Sequence, residues 1–312
     1  MQWKGVMPAM TTCFDQHLQI DHAFMARHAI WMIDQGCSGL IMLGSLGEAA
    51  TLSTPEKIAI LRNMVNTAGN RAPVVAAISS LSTSESVNLA KAAADAGCSG
   101  LMVLPPYVYK GDWLEMKTYL GQVFQATSLS CMLYNNPVSY GTDFLPAHIA
   151  ELANEFPNLN AVKESSTDVR RITAIRALTS KPSIFVGVDD AIVEGIYAGA
   201  TGWVAGLVNA FPAESVQLFN LASSGDKAAA FALYRWFLPL LRMDTVPKFI
   251  QLIKFVQQEI DMGSARVRGP RLELTGSELE EARATVQQAL ATRPSLQRQS
   301  IFPIGADRRE HA

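Results

Sequence analysis

The chain has 312 residues, 49% hydrophobic and 17% charged, with 26 lysines and arginines against 28 aspartates and glutamates for a formal charge of −2. That is enough material for a large core, in one large domain or two small ones. The near-balance of charge leaves no global field for nucleic acid or an anionic membrane, so the expected partner is a small molecule or another protein. No apolar run approaches the roughly 20 residues that span a bilayer, and the opening MQWKGVMPAM lacks a basic region followed by a long apolar one, which reads as a cytoplasmic protein.

Eight apolar runs bounded by turn residues read as strands. The first, VMPAMTTCF (6–14), carries Thr11 and Thr12 near its end. The second (39–44) lies in DQGCSGLIMLGS from Asp34, a helix end, a glycine stop and a short apolar run. The glycine supplies a left-handed C-cap, and the run suits a strand buried on both faces. STPEKIAILRNMVNTAG then opens a helix with a Ser53/Thr54 cap and Pro55 in its first turn. After the third strand (74–79), Ser82 with Glu85 three residues on predicts a capping box. DAGCSGLMVLPP, 61 positions after the first copy, holds the fourth strand (100–105), with Tyr107 just beyond it. The fifth (130–136), sixth (159–165) and seventh (183–189) follow, and the eighth (202–208) sits in a looser third copy, YAGATGWVAGLV.

Repetition at this scale, with helical patterns between strands, is the arithmetic of a closed parallel (β/α)8 barrel; an open doubly wound sheet is the main rival. The rival's usual nucleotide signatures are missing, since GSLGE (44–48) does not match GxGxxG and there is no P-loop. Polar residues also gather at the ends of several separate strands: Thr11 and Thr12, Ser45, Tyr107, Tyr134 to Asn136, Lys163 to Ser165, and Asp189. A barrel active site has that distribution. The expected organisation is a barrel core over 1–210, added helices over 211–292 packed on the barrel or on a neighbouring subunit, and a loosely held polar tail over 293–312. Cys13, Cys37, Cys98 and Cys131 form no CxxC pair and read as buried reduced thiols, and the 5 histidines have no metal-ligand spacing, so no metal is expected.

LNAVKESSTD (159–168) places a lysine inside an apolar strand. Alternation puts Ala161, Lys163 and Ser165 on one side, and small neighbours leave the lysine room. In a barrel mouth an ammonium loses hydration, which favours the neutral amine, a nucleophile toward a carbonyl or imine; pairing with a carboxylate, or a head reaching solvent, is the plainer alternative. Tyr134 ends the preceding strand, so phenol and amine could face one cavity, with the phenol moving protons for the amine. The turn GSLGE aims backbone N–H groups and the Ser45 hydroxyl at the mouth, a small anion nest suited to a carboxylate, or an ordinary turn.

The ordered set GSLGE, YNNPxxxG and VKES, on strands two, five and six, resembles the dihydrodipicolinate synthase and N-acetylneuraminate lyase family over roughly residues 3–292. The resemblance implies a TIM barrel, usually a homotetramer, with class I aldolase-type chemistry on a small 2-oxo or 2-imino acid and neither metal nor cofactor. It makes Lys163 the Schiff-base lysine, Tyr134 the proton shuttle, and Gly44, Ser45, Leu46 and Gly47 the holder of the substrate carboxylate. Leu46 stands where the synthase's loop has a second hydroxyl, and NNPVSYG has no counterpart of its arginine, which argues against a second carboxylated substrate. The tyrosine after PPY is also displaced to Tyr109.

Within the family, WKGVMPAMTT, GSLGEAATLS, LPPYVYKGDW, YNNPVSYGTDF and VKESSTDVRRI most resemble the 1-pyrroline-4-hydroxy-2-carboxylate deaminases of hydroxyproline breakdown. On that reading Asp189 either hydrogen-bonds the substrate hydroxyl or caps the helix beginning near Ala191. A 2-keto-3-deoxy sugar acid dehydratase and a 4-hydroxy-2-oxoglutarate-type aldolase need the same lysine and nest, and a noncatalytic ligand-binding barrel is the alternative of another class.

Overall fold

The computed structural model describes residues 1–106 and 108–295. Eight parallel strands run β1 (Gly5–Pro8), β2 (Leu40–Met42), β3 (Val74–Ile78), β4 (Gly100–Val103), β5 (Ser130–Asn135), β6 (Leu159–Glu164), β7 (Ser183–Val186) and β8 (Gly202–Ala205). Their order around the sheet is β1-β8-β7-β6-β5-β4-β3-β2, and a parallel bridge from Ala9 to Ile41 joins the two ends into a barrel. Every residue of β3 and β4 is buried, as expected of strands covered on both faces.

Helices α1 (His22–Asp34), α2 (Thr54–Ala68), α3 (Thr83–Asp95) and α4 (Trp113–Gln125) follow β1 to β4. After β5 come the single turn α5 (Pro137–Tyr140) and α6 (Pro146–Glu155), then α7 (Arg170–Leu178), α8 (Ile192–Tyr197) and α9 (Pro212–Ser224) after β6, β7 and β8. Three more complete the described chain: α10 (Lys227–Leu241), α11 (Phe249–Glu259) and α12 (Gly276–Ala291). Helix α9 packs on β1, α8 and α10, and so links the eighth barrel unit to the helices that follow. The addition shares one continuous core with the barrel. The expected tail lies outside the described residues from position 296 on.

Local chemistry explains the element ends. Ser53 and Glu56 form a reciprocal capping box at α2, whereas at α3 Ser82 accepts from the Glu85 amide without the return bond. Several strands stop earlier than the apolar runs suggest, because the residues after them build the mouth. Leu43 turns left-handed (φ 64) and ends β2. Beyond β1, Thr11 and Thr12 direct their hydroxyls to Gln257 and to the Gly47 carbonyl. Beyond β8, the Gly206 and Leu207 amides turn to Asp189, so residues 207–209 form a 3-10 turn. All four cysteines are free and buried, and burial pushes the thiols of Cys37, Cys98 and Cys131 up to about 12, which leaves them inert. Among the described residues no helix is long and apolar enough to cross a membrane.

Candidate active site

Lys163 and Tyr134 are register partners on β6 and β5, so the pleat turns both toward the barrel mouth. Lys163 is 7% exposed, and its Nζ lies 4.2 Å from the centre of the Tyr134 ring. Among the described residues it has no hydrogen bond or ion pair, so the plainer alternative of a carboxylate-locked lysine is not what the chain builds. Gly187 makes its path possible: a Cβ there would stand 2.6 Å from Lys163 Cε and 2.0 Å from Ser165 Oγ. The Ser165 hydroxyl is itself buried, with no hydrogen-bond partner among the described residues.

Both side chains line a cavity of about 510 Å3, as do Gly44, Ser45 and Leu46. Gly47 does not reach it; its carbonyl accepts from Thr12, and a Cβ there would collide with the Met10 carbonyl at 2.9 Å. Within this turn the amides of Glu48 and Ala49 are taken by Ser45 and Gly44 carbonyls. Those of Ser45, Leu46 and Gly47 donate to no acceptor among the described residues. Unclaimed amides beside a hydroxyl are the composition of an anion nest.

The turn is held from below. Glu48 is left-handed (φ 55) and wholly buried, and its carboxylate pairs with Lys254 of α11 at 2.7 Å while accepting the Arg268 amide at 3.0 Å. Burial lowers the Lys254 pKa, against the pull of Glu48, which raises it. The C-terminal addition thus supports the expected carboxylate site, a role no local pattern announces.

Tyr140 was legible only as part of YNNPxxxG. Asn136 caps α5 and Gly141 (φ 70) stops it after one turn, which brings the Tyr140 hydroxyl onto Ser45 Oγ and its ring edge-on to Tyr134, centroids 5.8 Å apart. Asn136 Nδ2 also donates to the Tyr134 hydroxyl at 3.1 Å. Two polar pairs, Tyr140 with Ser45 and Tyr134 with Asn136, thus stand side by side near the amine, joined by the ring contact of the two tyrosines. Tyr107 lies outside the described residues.

Asp189 requires correction. It is fully buried, and its oxygens accept from Trp203 Nε1 (3.0 Å) and from the Gly206 (3.1 Å) and Leu207 (2.9 Å) amides. It neither reaches the cavity nor caps α8, whose start has no side-chain cap. Instead it ties the ends of β7 and β8 together, and burial pushes its pKa up to about 6 despite those donors. The carboxylate that does line the cavity is Asp244, from the turn Arg242–Asp244 between α10 and α11. Arg271 lines the mouth too, so the cavity has an arginine although the NNPVSYG segment offers none; it faces Glu48 at 3.8 Å. Nothing in the local sequence around Asp244 or Arg271 signals a site. Among the described residues no cluster of three or more His, Cys, Asp or Glu could hold a metal ion.

With the geometry in place, comparison with known proteins adds lineage. Residues 2–289 match the model of the Dihydrodipicolinate synthetase family. A 4-hydroxy-tetrahydrodipicolinate synthase of Moorella thermoacetica is 30% identical, covering 92% of this chain and 99% of the relative. A probable 2-dehydro-3-deoxy-D-pentonate aldolase of Escherichia coli is 28% identical over 82% of this chain and 87% of its own length. Among solved structures, the E. coli prophage protein YagE in complex with pyruvate superposes with a TM-score of 0.87 at 26% identity, covering 93% and 99% of the two chains.

Proposed function

Because the chain belongs to the dihydrodipicolinate synthetase family and is a class I aldolase-type lyase of it, we propose that it dehydrates and deaminates 1-pyrroline-4-hydroxy-2-carboxylate, releasing 2-oxoglutarate semialdehyde and ammonia. The observation that carries the reading is the buried amine of Lys163 against the Tyr134 ring, beside three amides, all without a hydrogen-bond partner among the described residues. The substrate carboxylate rests on Ser45 and the amides of the turn. Lys163 Nζ adds to C2 of the protonated cyclic imine, a proton passes from Nζ to the ring nitrogen, and expulsion of that nitrogen as an amine opens the ring and leaves an iminium on Lys163. That cation acidifies C3, and Tyr134 takes the C3 proton to give an enamine. Loss of the C4 hydroxyl as water, tautomerisation toward C5 and two hydrolyses then free the lysine, the ammonia and the product. One water is consumed net.

The apolar Leu46 in the nest favours a compact substrate with one carboxylate. The chain is further read as one subunit of a homotetramer, for which the exposed apolar side chains Val108, Leu114 and Val138 offer surface. A second reading, an aldolase or dehydratase of a 2-oxo acid, is favoured by the similarity to the probable pentonate aldolase and to the structure that holds pyruvate. Coupled assays on a panel of cyclic imines and hydroxylated 2-oxo acids separate the two. Ammonia release from the imine is expected, and pyruvate release without ammonia would replace the deaminase by the aldolase.

A further inference from the structure

Most acids around the mouth already have partners. Asp189 is held by Trp203 and two amides, Glu48 by Lys254, and Asp190 faces Arg242 at 3.6 Å. Asp244 differs. It is half-buried as a residue, yet its Oδ1 is cut off from water and has no hydrogen-bond partner among the described residues. A buried carboxylate oxygen without a donor is costly, so a proton or a ligand must complete it. Its carboxyl lies directly against the backbone beyond β8, where a Cβ on Gly206 would come within 1.9 Å of Oδ1; only glycine leaves that space. Burial, followed by the charges of Asp189 and Asp190, pushes its pKa well above the usual carboxylate range, while Lys163 pulls the other way. The neutral acid is thereby favoured, in the same cavity as the amine.

Resting on the dehydrating reading of the previous subsection, we propose that Asp244 is the catalytic acid that protonates the departing C4 hydroxyl of the covalently held substrate. The nest stands over β2, the amine on β6 and Asp244 over β8. A substrate with its carboxylate at Ser45 and C2 on Lys163 points its C4 end away from the nest. In the enamine, the nitrogen lone pair forms the bond to C2, the C2–C3 pair moves to C3–C4, and the C4–O pair leaves on oxygen. That oxygen takes the Asp244 proton and departs as water, leaving a carboxylate on Asp244 and a conjugated iminium on Lys163. Asp244 is thereby also the group that selects 4-hydroxylated substrates.

The test compares wild type with Asp244→Asn on the 4-hydroxy imine and on its 4-chloro analogue, whose chloride leaves without a proton. On the hydroxy substrate, kcat is expected to fall by about 10^2 to 10^4, the usual worth of a general acid, with KM changed less than about threefold. On the chloro analogue the deficit should shrink below about tenfold, while borohydride still fixes pyruvate on Lys163 of the variant. Unchanged kcat on the hydroxy substrate overturns the proposal. So does an equal loss on both substrates, which would mean that Asp244 acts by positioning the amine. A wild-type protein that fixes pyruvate but frees no ammonia from the imine overturns instead the reading beneath it, and is told apart because no variant is involved.

Discussion

The barrel and the C-terminal addition each bury a lysine, and the two are opposites. Lys254 of α11 is 1% exposed and clamped to Glu48 at 2.7 Å, with the Thr12 carbonyl as a further acceptor at 2.9 Å. Lys163 of β6 faces a cavity, with an aromatic ring and no acceptor among the described residues. His28 of α1 is a third buried base. Burial lowers its pKa to about 4, so it stays neutral, and its ring N–H donates to the Asn209 carbonyl at 2.7 Å. Three solutions to desolvation coexist in one chain: pair the charge, give up the proton, or stand ready for a ligand. Burial alone therefore marks no nucleophile; absence of a partner beside an open cavity does.

Substitutions can break this contrast. Lys163→Ala should abolish turnover, with a loss on the order of 10^5, since among the described residues no other lysine lines the cavity; steady-state assays that found more than a few per cent of wild-type activity would end the distinction. Tyr134→Phe removes the proton carrier and keeps the ring against the amine, so kcat should drop by about 10^2 to 10^4 while KM changes little.

Lys254→Met should behave in the other way. It takes the close cation from the buried Glu48 carboxylate, leaving the Arg268 amide and the more distant Arg271, and should cost ~3–5 kcal/mol of stability in denaturant unfolding, with Schiff-base formation retained in the folded fraction. Adding Glu48→Gln should restore part of that loss, because the two effects share one interaction.

The smallest expected effect concerns His28. Its folded pKa of about 4 lies below the ordinary value of 6.5, so between those limits the unfolded chain binds the extra proton. The stability it contributes is full above about pH 6.5 and is lost as pH falls toward 4. The advantage of wild type over His28→Gln in melting temperature should narrow across that window. A constant difference would show that His28 titrates normally.

Legibility in the sequence divides along the same line. The eight strands, the Lys163 and Tyr134 pair and the GSLGE turn could be read because strand alternation and turn chemistry are local rules. Strand ends were overestimated where residues at the end of an apolar run leave the ladder for side-chain partners far away, as Thr11 does for Gln257. Asp189 sat in the right place for a substrate ligand, and only the fold reveals that Trp203 and the amides beyond β8 claim it. Asp244, Arg271 and Lys254 were invisible for a stronger reason. Each enters the site from the addition, and the Lys254 to Glu48 contact spans 206 positions, beyond any spacing rule. Tyr140 lay in a motif already in view, yet its role depended on the single turn α5 swinging it onto Ser45.

The contrast between the two lysines reduces to one measurement. Incubation with isotopically labelled pyruvate and sodium borohydride, followed by digestion and peptide mass mapping, should place one reduced adduct on Lys163 and leave Lys254 unlabelled. An adduct on Lys254 or on any other lysine, or no adduct from a folded protein, would contradict the account.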